Sequence, residues 1–144
     1  MLKALLKKWG AKNDPQNPPL LGSATIGQAG ENQALDYLLG QGLKLVQRNY
    51  RVAAGPSRRA GEVDLILRDA DGSLVFVEVR IRSGHDHGGA AGSIDRAKRK
   101  RIVYAAQHYM RAMPSPPPCR FDVVAIDGGQ LQWLRAAFDA GNST

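Results

Sequence analysis

The segment Gly61–Ser83, GEVDLILRDADGSLVFVEVRIRS, constrains the fold more than any other part of the chain. Two runs of strand-like residues flank DADG, which is typical of a tight turn, so the segment predicts a β-hairpin. In the first strand, Val63, Leu65 and Leu67 alternate with Asp64 and Ile66. The second strand begins with Leu-Val-Phe-Val, a pattern typical of a central strand covered on both faces.

The elements around this hairpin predict an α/β fold with a mixed sheet flanked by helices, in the order α-β-β-β-α-β-β. We expect, in chain order, a helix from about Thr25 to Leu39 that ends at Gly40, strands over Leu43–Val52, 63–67 and Ser73–Arg82, a helix from about Ser93, its N-cap, to Met113, and strands over 120–126 and 131–135. We expect a flexible leader and linker over residues 1–22, a single domain over residues 23–136 and a loose tail over residues 137–144.

Composition indicates the class of partner. The chain has 144 residues, with 20 Lys and Arg against 13 Asp and Glu. Its net charge of +7 favours contact with polyanions, chiefly nucleic acid. The single cysteine, Cys119, excludes an internal disulfide, and we expect it to be buried. No segment has the apolar length of a membrane span or a signal peptide, so we expect a cytoplasmic protein with no membrane partner.

Two acids of the hairpin predict a metal site. If Asp64 lies opposite Glu78, residues 65–67 face residues 75–77, and the two carboxylates come within about 5 Å at the Cβ level. Close carboxylates on a half-buried face repel each other unless a cation lies between them. Their hard oxygen ligands suit Mg²⁺ or Mn²⁺.

Spacing alone leaves an alternative equally open. Asp64 and Glu78 could lie at a solvated strand end, paired with Arg80, Arg82 or Arg51. A third acid, Glu31, shares the apolar face of the first helix with Ala34, Leu35 and Leu38, which is an unusual place for a carboxylate. We expect Glu62, which precedes the predicted strand, to face solvent or to cap the loop.

Several motifs in order resemble the YraN-like family of uncharacterised bacterial proteins, which is similar to Holliday-junction resolvases and to the restriction-endonuclease-like superfamily with its PD-(D/E)xK signature. They are GQAGENQALDYL (27–38), NYR (49–51), GEVDLI (61–66), FVEVR (76–80) and RFDV (120–123). The resemblance covers about residues 24 to 126 and implies a restriction-endonuclease-like αβββαβ core, which would make residues 23–136 an endonuclease-like domain.

The resemblance also implies a function and a site. The function would be Mg²⁺-dependent hydrolysis of phosphodiester bonds in DNA, including branched or damaged DNA. Asp64 and Glu78 would be catalytic and would hold the metal, with the Val79 carbonyl as a further ligand. Glu31 would match the helix acid of resolvase-like members, would also be catalytic and could join them as a metal ligand. Arg80 would be the fourth catalytic residue and would stabilise the phosphate.

Residue 80 departs from the signature. Arg80 stands where the signature has lysine, and it can grip a phosphate but stays protonated and cannot act as a base. On the second helix, Lys98 lies on the apolar side at helical spacing from Ile102 and Ala105. We hypothesise that Lys98 reaches the metal site and supplies the missing ammonium. The alternative is a lysine whose stem lies along the helix edge.

The second helix carries RAKRKR, five positive charges in six residues, which predicts a surface for phosphate backbones. Its predicted nucleic-acid contacts are Arg51, Arg82, Arg96, Lys98, Arg99, Lys100 and Arg101, with Arg58 and Arg59 as extensions. A non-catalytic nucleic-acid-binding module that retains the nuclease fold is the alternative function, and a basic face that docks on an acidic protein is a third. A homodimer would suit a junction substrate, although no residue pattern requires one. The pair His85 and His87 is a poor zinc motif, since its ligands lie two apart with no third nearby.

Overall fold

The computed structural model describes residues 23–56, 60–82 and 94–142, with the side chains of residues 23–25 and 142 excepted. Its elements are helix α1 (Ser23–Gly40), strands β1 (Lys44–Val52), β2 (Gly61–Arg68) and β3 (Leu74–Arg82), helix α2 (Arg96–Arg111), strands β4 (Cys119–Asp127) and β5 (Gln130–Phe138), and a 3₁₀ turn (Ala140–Asn142). The predictions for the leader, Arg58, Arg59, His85, His87 and the Ser93 cap concern residues outside the described ranges.

The strands form one mixed sheet in the order β1-β2-β3-β4-β5. Neighbouring strands are antiparallel except β3 and β4, which are parallel. A parallel pair needs a long crossover, and α2 lies within it. The described fold is therefore an α/β sandwich with a mixed sheet between two helices, as predicted, and it is consistent with a restriction-endonuclease-like core.

The two faces of the sheet bury separate apolar clusters. On one face, α1 contributes Ala34 and Leu38, which pack with Leu65 and Val77. On the other face, α2 contributes Ile102 and Ala105 to a cluster that includes Phe76. The predicted double covering of β3 is confirmed, because its residues Leu74 to Glu78 are all buried.

Several element ends, and the burial of Cys119, differ from the predictions. Helix α2 begins at Arg96, three residues later than predicted, because the Asp95 side chain accepts a hydrogen bond from the Lys98 N–H and caps the first turn. Strand β5 continues to Phe138, whose ring stacks on Phe121 with centroids 5.1 Å apart. Cys119, at the start of β4, is exposed rather than buried.

Asp122 is fully buried in β4. Its carboxylate accepts hydrogen bonds from Arg120 Nε, Trp133 Nε1 and the Ala136 N–H. The Arg120 guanidinium also contacts Asp69 in the β2–β3 turn at 2.7 Å. These contacts fasten β5 and the hairpin turn to β4, which is a structural role.

Among the described residues, neither helix is long and apolar enough to span a membrane.

Candidate functional site

The hairpin register brings Asp64 and Glu78 together. Leu65 pairs with Val77, Ile66 with Phe76 and Leu67 with Val75, as the sequence predicted. The backbone pairing of β2 with β3 ends at Leu65. Next to it, the Asp64 side chain accepts a hydrogen bond from β3, with its Oδ2 2.8 Å from the Val79 nitrogen. The Asp64 carboxylate is thus held against β3 directly beside Glu78.

The predicted alternation of β2 breaks at Asp64. Leu65 packs in the cluster beneath α1, whereas Val63, only two residues away, packs in the cluster beneath α2. Regular alternation would place both on one face. The opposite residue of β1, Asn49, has a φ of 50°, a left-handed conformation that asparagine tolerates better than most residues. The reversal lets the Asp64 side chain reach the edge of β3.

Glu78 is buried, with 3% of its surface exposed, while Asp64 is partly exposed. Burial raises the pKa of Glu78 to about 8, the charge of Asp64 adds to the rise, and the charge of Lys98 opposes it. Burial also raises the pKa of Asp64, against the hydrogen bond from Val79. The two carboxyl groups therefore disfavour being ionised together.

Glu31 approaches the pair from α1. Burial raises the pKa of Glu31, and the charge of Asp64 adds to the rise. With its amide nitrogen turned towards Glu31, Asn49 donates to both carboxylate oxygens at 3.2 Å, and Arg48 lies 3.8 Å from one of them. The charge of Asp64 thus acts on Glu31, but this carboxylate is engaged by Asn49 and Arg48 of β1.

The donor set can be compared with what a metal needs. Within the described segments, no group of three or more His, Cys, Asp or Glu side chains is close enough to hold an ion together, so Glu31 is not placed as a third ligand. The Oε2 atom of Glu78, however, is buried without a hydrogen-bond partner. Mg²⁺ is commonly held by one or two carboxylates and keeps several waters. Asp64 and Glu78 fit such an ion, with an unsatisfied oxygen available to it.

Helix α2 adds a cation to this site. The Lys98 ammonium lies 3.4 Å from Glu78 Oε1 and 2.8 Å from Glu62 Oε1. Burial lowers the pKa of Lys98, but the hydrogen bond to Glu62 and the charge of Glu78 outweigh it, and the net pKa is raised. The reach that helical spacing predicted for Lys98 is therefore present.

The prediction for Glu62 is wrong. Glu62 does not face open solvent, because Lys98 and Arg101 both reach its Oε1, at 2.8 and 3.1 Å. The hydrogen bond from Lys98 is the largest cause of its lowered pKa. Sequence reasoning missed this role because nothing in β2 alone shows which helix residues pack over it. The converging basic residues become visible only when α2 is placed.

Arg80 is half-buried on β3, two residues after Glu78, and pairs in register with Ala125 of β4. Strand alternation directs its side chain to the same face as Glu78. The structure therefore keeps a cation at the signature lysine position and adds a second, Lys98, from the helix.

The predicted nucleic-acid surface separates into exposed and engaged residues. Arg51, Arg96 and Lys100 are exposed. Lys98 and Arg101 contact Glu62, Arg99 lies over the Phe138 ring at 5.7 Å from its centroid, and Arg82 is half-buried at the end of β3. The exposed residues and the half-exposed guanidinium of Arg101 remain accessible to a phosphate backbone.

Comparison with known proteins identifies the family. The model of the Uncharacterised protein family UPF0102 matches residues 30–126. The chain is 64% identical over 115 residues to a UPF0102 protein of Methylibium petroleiphilum, covering 80% of this chain and 94% of that one. It is 59% identical over 122 residues to a UPF0102 protein of an Acidovorax species, covering 85% and 90%. A UPF0102 protein of Cupriavidus metallidurans is 50% identical over 123 residues, covering 85% and 87%. The chain therefore belongs to the Uncharacterised protein family UPF0102, the YraN-like family that its motifs indicated.

Proposed function

We propose that this protein is a divalent-metal-dependent nuclease that hydrolyses phosphodiester bonds in DNA, with Asp64 and Glu78 as the metal ligands. One observation carries the proposal. A buried Glu78 with a pKa near 8 and an unpartnered oxygen lies beside a second carboxylate. Such a pair is costly for a fold that does not use it, since each buried charge loses its hydration.

The residues of the candidate site would have separate roles in the reaction. Asp64 is fixed by the Val79 N–H, and Glu78 is fixed in the buried part of β3, so the ligands are preorganised. Arg80 would hold a phosphate oxygen with its guanidinium. The exposed basic residues of α2 and β1 would bind neighbouring phosphates without reading sequence.

A bound Mg²⁺ or Mn²⁺ would polarise a phosphoryl oxygen and supply an activated water at neutral pH. Asp64 and Glu78 would hold it, and the Val79 carbonyl, next to Glu78 in β3, is the further ligand that the family resemblance implies. Glu31, fixed by Asn49 and Arg48, would lie at the margin of the site and bias its charge.

The second candidate is a nucleic-acid-binding module that keeps the fold without catalysis. The observation in its favour is Arg80, which replaces the lysine of the signature. Both candidates require nucleic-acid binding, but only the nuclease requires Asp64 and Glu78 to bind a divalent ion together.

The test is cleavage of duplex, single-stranded and four-way-junction DNA, and of RNA, with Mg²⁺ or Mn²⁺. Asp64→Asn and Glu78→Gln remove one ligand each, and Asp36→Asn makes the matched change of charge at an exposed position of α1. The nuclease predicts metal-dependent cleavage by the wild type and by Asp36→Asn. It predicts that each ligand variant cleaves at least about 100-fold more slowly than the wild type. Substitution of residues that only support metal ligands already lowers activity by up to that factor.

Three results would contradict the proposal. Cleavage that survives in Asp64→Asn and Glu78→Gln would assign the activity to a contaminant. Cleavage without any divalent ion would remove the role of the pair. Binding of nucleic acid with no cleavage of any substrate, and with no divalent-ion binding by calorimetry, would favour the non-catalytic module.

A further inference from the structure

Packing of the aliphatic stem of Lys98 does not by itself explain the position of its ammonium. A lysine at the edge of a helix normally extends its ammonium into water. Here Lys98 extends between β2 and β3, with its ammonium 2.8 Å from Glu62 Oε1 and 3.4 Å from Glu78 Oε1. About a quarter of the side chain is exposed, so the ammonium lies at the mouth of the carboxylate pair.

Glu62 fixes that position from the strand side. It lies two residues before Asp64 in β2, and its Oε1 receives both Lys98 at 2.8 Å and Arg101 at 3.1 Å. Lys98 is also tied at its backbone, because its N–H donates to the capping carboxylate of Asp95. The ammonium is thus fixed at its stem by the helix cap and at its tip by Glu62.

Stability is a weak explanation for this arrangement. Ion pairs that water reaches contribute little to stability, and water reaches both Lys98 and Glu62. The contacts do, however, position one cation at the two acids that the proposed reaction uses. Arg80 already lies at the signature position but presents a planar guanidinium, whereas an ammonium is a compact point charge with three donors.

We infer that Lys98 supplies, from α2, the cation that a lysine at position 80 would supply from β3, and that Glu62 is the positioning residue for it. This inference rests on the proposed nuclease function. Lys98 would bind an oxygen of the scissile phosphate beside the Asp64–Glu78 pair as negative charge develops there. Glu62 would act only through Lys98.

The experiment compares four proteins: the wild type, Lys98→Met, Arg80→Lys/Lys98→Met, and the control Lys44→Met. Lys44 is exposed at the start of β1, where it pairs with Arg68 at the end of β2 away from Asp64. Each protein is tested for single-turnover cleavage at saturating enzyme, for Mn²⁺ binding by calorimetry without substrate, and for urea unfolding. The unfolding curves restrict the comparison to folded proteins.

We expect Lys98→Met to lower the saturating cleavage rate by about 100-fold, as removal of one donor to a transition-state charge does. We also expect it to bind Mn²⁺ more tightly than the wild type, because a competing positive charge 3.4 Å from Glu78 has gone. The double variant, with lysine at position 80, should cleave at least tenfold faster than Lys98→Met. Lys44→Met should match the wild type in rate and in Mn²⁺ affinity.

The outcomes separate this inference from the proposed function. If the wild type binds Mn²⁺ but cleaves nothing, the proposed nuclease function is wrong. In that case, unchanged Mn²⁺ affinity in Lys98→Met would also contradict the position of the Lys98 ammonium beside Glu78. If the wild type cleaves but Lys98→Met behaves like Lys44→Met, the nuclease stands and this inference falls. A double variant no faster than Lys98→Met would contradict the equivalence of positions 80 and 98.

Glu62 is tested by non-additivity. Glu62→Gln should lower the saturating rate in the wild-type background and change it little in the Lys98→Met background, where the residue it positions is missing. Glu62→Asp, which keeps the charge, should recover part of the rate. An equal loss in both backgrounds would show that Glu62 acts independently of Lys98 and would overturn its positioning role.

Discussion

Glu78 is the residue whose surroundings oppose its usual charge most strongly. It is a carboxylate in the buried run of β3, next to Asp64, and its pKa is raised from 4.5 to about 8. A folded chain that binds this proton more tightly than the unfolded chain loses stability as the pH rises between those values. The site thus costs stability at neutral pH, which is common where function rather than folding selects a residue.

We therefore predict that Glu78→Gln stabilises the metal-free protein at alkaline pH. The difference in free energy of unfolding from the wild type should be near zero at about pH 4.5 and grow to a plateau above about pH 8. Its size should be on the order of 5 kcal/mol, since each pKa unit between 4.5 and about 8 corresponds to about 1.4 kcal/mol. Urea unfolding with a chelator at several pH values measures it.

The exposed variant Asp36→Asn should show no such pH-dependent gain. A Glu78→Gln difference that stays constant from pH 5 to pH 9 would mean that Glu78 ionises normally, and the account of the pair would be wrong.

At the scale of elements, the site depends on how closely α2 approaches β2. Gly61 permits that approach: a Cβ there would lie 2.8 Å from the Ala105 nitrogen and 3.0 Å from its Cα. These are backbone atoms of a helix with no flexible end to move aside. Glu62 follows immediately, so the same contact aligns it with Lys98 and Arg101.

Gly61→Ala should consequently lower the free energy of unfolding by about 1–3 kcal/mol, the usual cost of overpacking. Gly27→Ala is the matched control in α1, where an added Cβ meets no atom within 4 Å. There, alanine should be neutral or should stabilise the helix by up to about 1 kcal/mol. Thermal or urea unfolding decides the matter, and equal effects of the two substitutions would contradict the close approach of α2.

Element-scale features also separate what the sequence predicts from what it conceals. The hairpin register could be proposed from the sequence because the DADG turn leaves a short loop between β2 and β3, and the structure has that register rather than a one-residue slip. The reversal of facing at Asp64 was not, because it depends on a left-handed Asn49 in a neighbouring strand. Asparagine is disfavoured inside strands, and that is the one signal that could have indicated the irregularity.

The same limit applies to Glu62. Its partners Lys98 and Arg101 are more than 30 residues away along the chain, and only tertiary packing places them. Lys98 itself was within reach of sequence reasoning as a hypothesis, because helical spacing places it on the apolar side of α2, and the contact with Glu78 favours that hypothesis over a stem along the helix edge. Local pattern thus predicted which residues face inwards, and the packing of α2 determined which of them meet.

At the scale of the whole molecule, the net charge of +7 is divided between engaged and exposed residues. Lys98 and Arg101 neutralise Glu62 at the candidate site, whereas Arg96 and Lys100 on the same helix are exposed. The exposed pair lies next to the site along α2. Under the proposed function, it would provide a surface for phosphates that flank a scissile bond.

We predict that Lys100→Ala weakens binding to duplex DNA by a similar factor for every sequence. It should reduce the slope of log affinity against log salt by about 1, the value for one lost phosphate contact. Lys44→Ala, an exposed lysine at the other end of the sheet, should leave the slope unchanged. Fluorescence anisotropy at several salt concentrations measures both, and equal slopes in the two variants would contradict a binding surface on α2.

The central claim, that Asp64 and Glu78 form a divalent-metal site, is tested most directly by calorimetric titration with Mn²⁺ at pH 7 in two buffers of different ionisation enthalpy. The account predicts one ion per chain and release of about one proton, because a carboxyl with a pKa near 8 must lose its proton to become a ligand. Asp64→Asn and Glu78→Gln should abolish or greatly weaken binding, while Asp36→Asn should not. Absence of binding, or binding that both ligand variants retain, would contradict the claim.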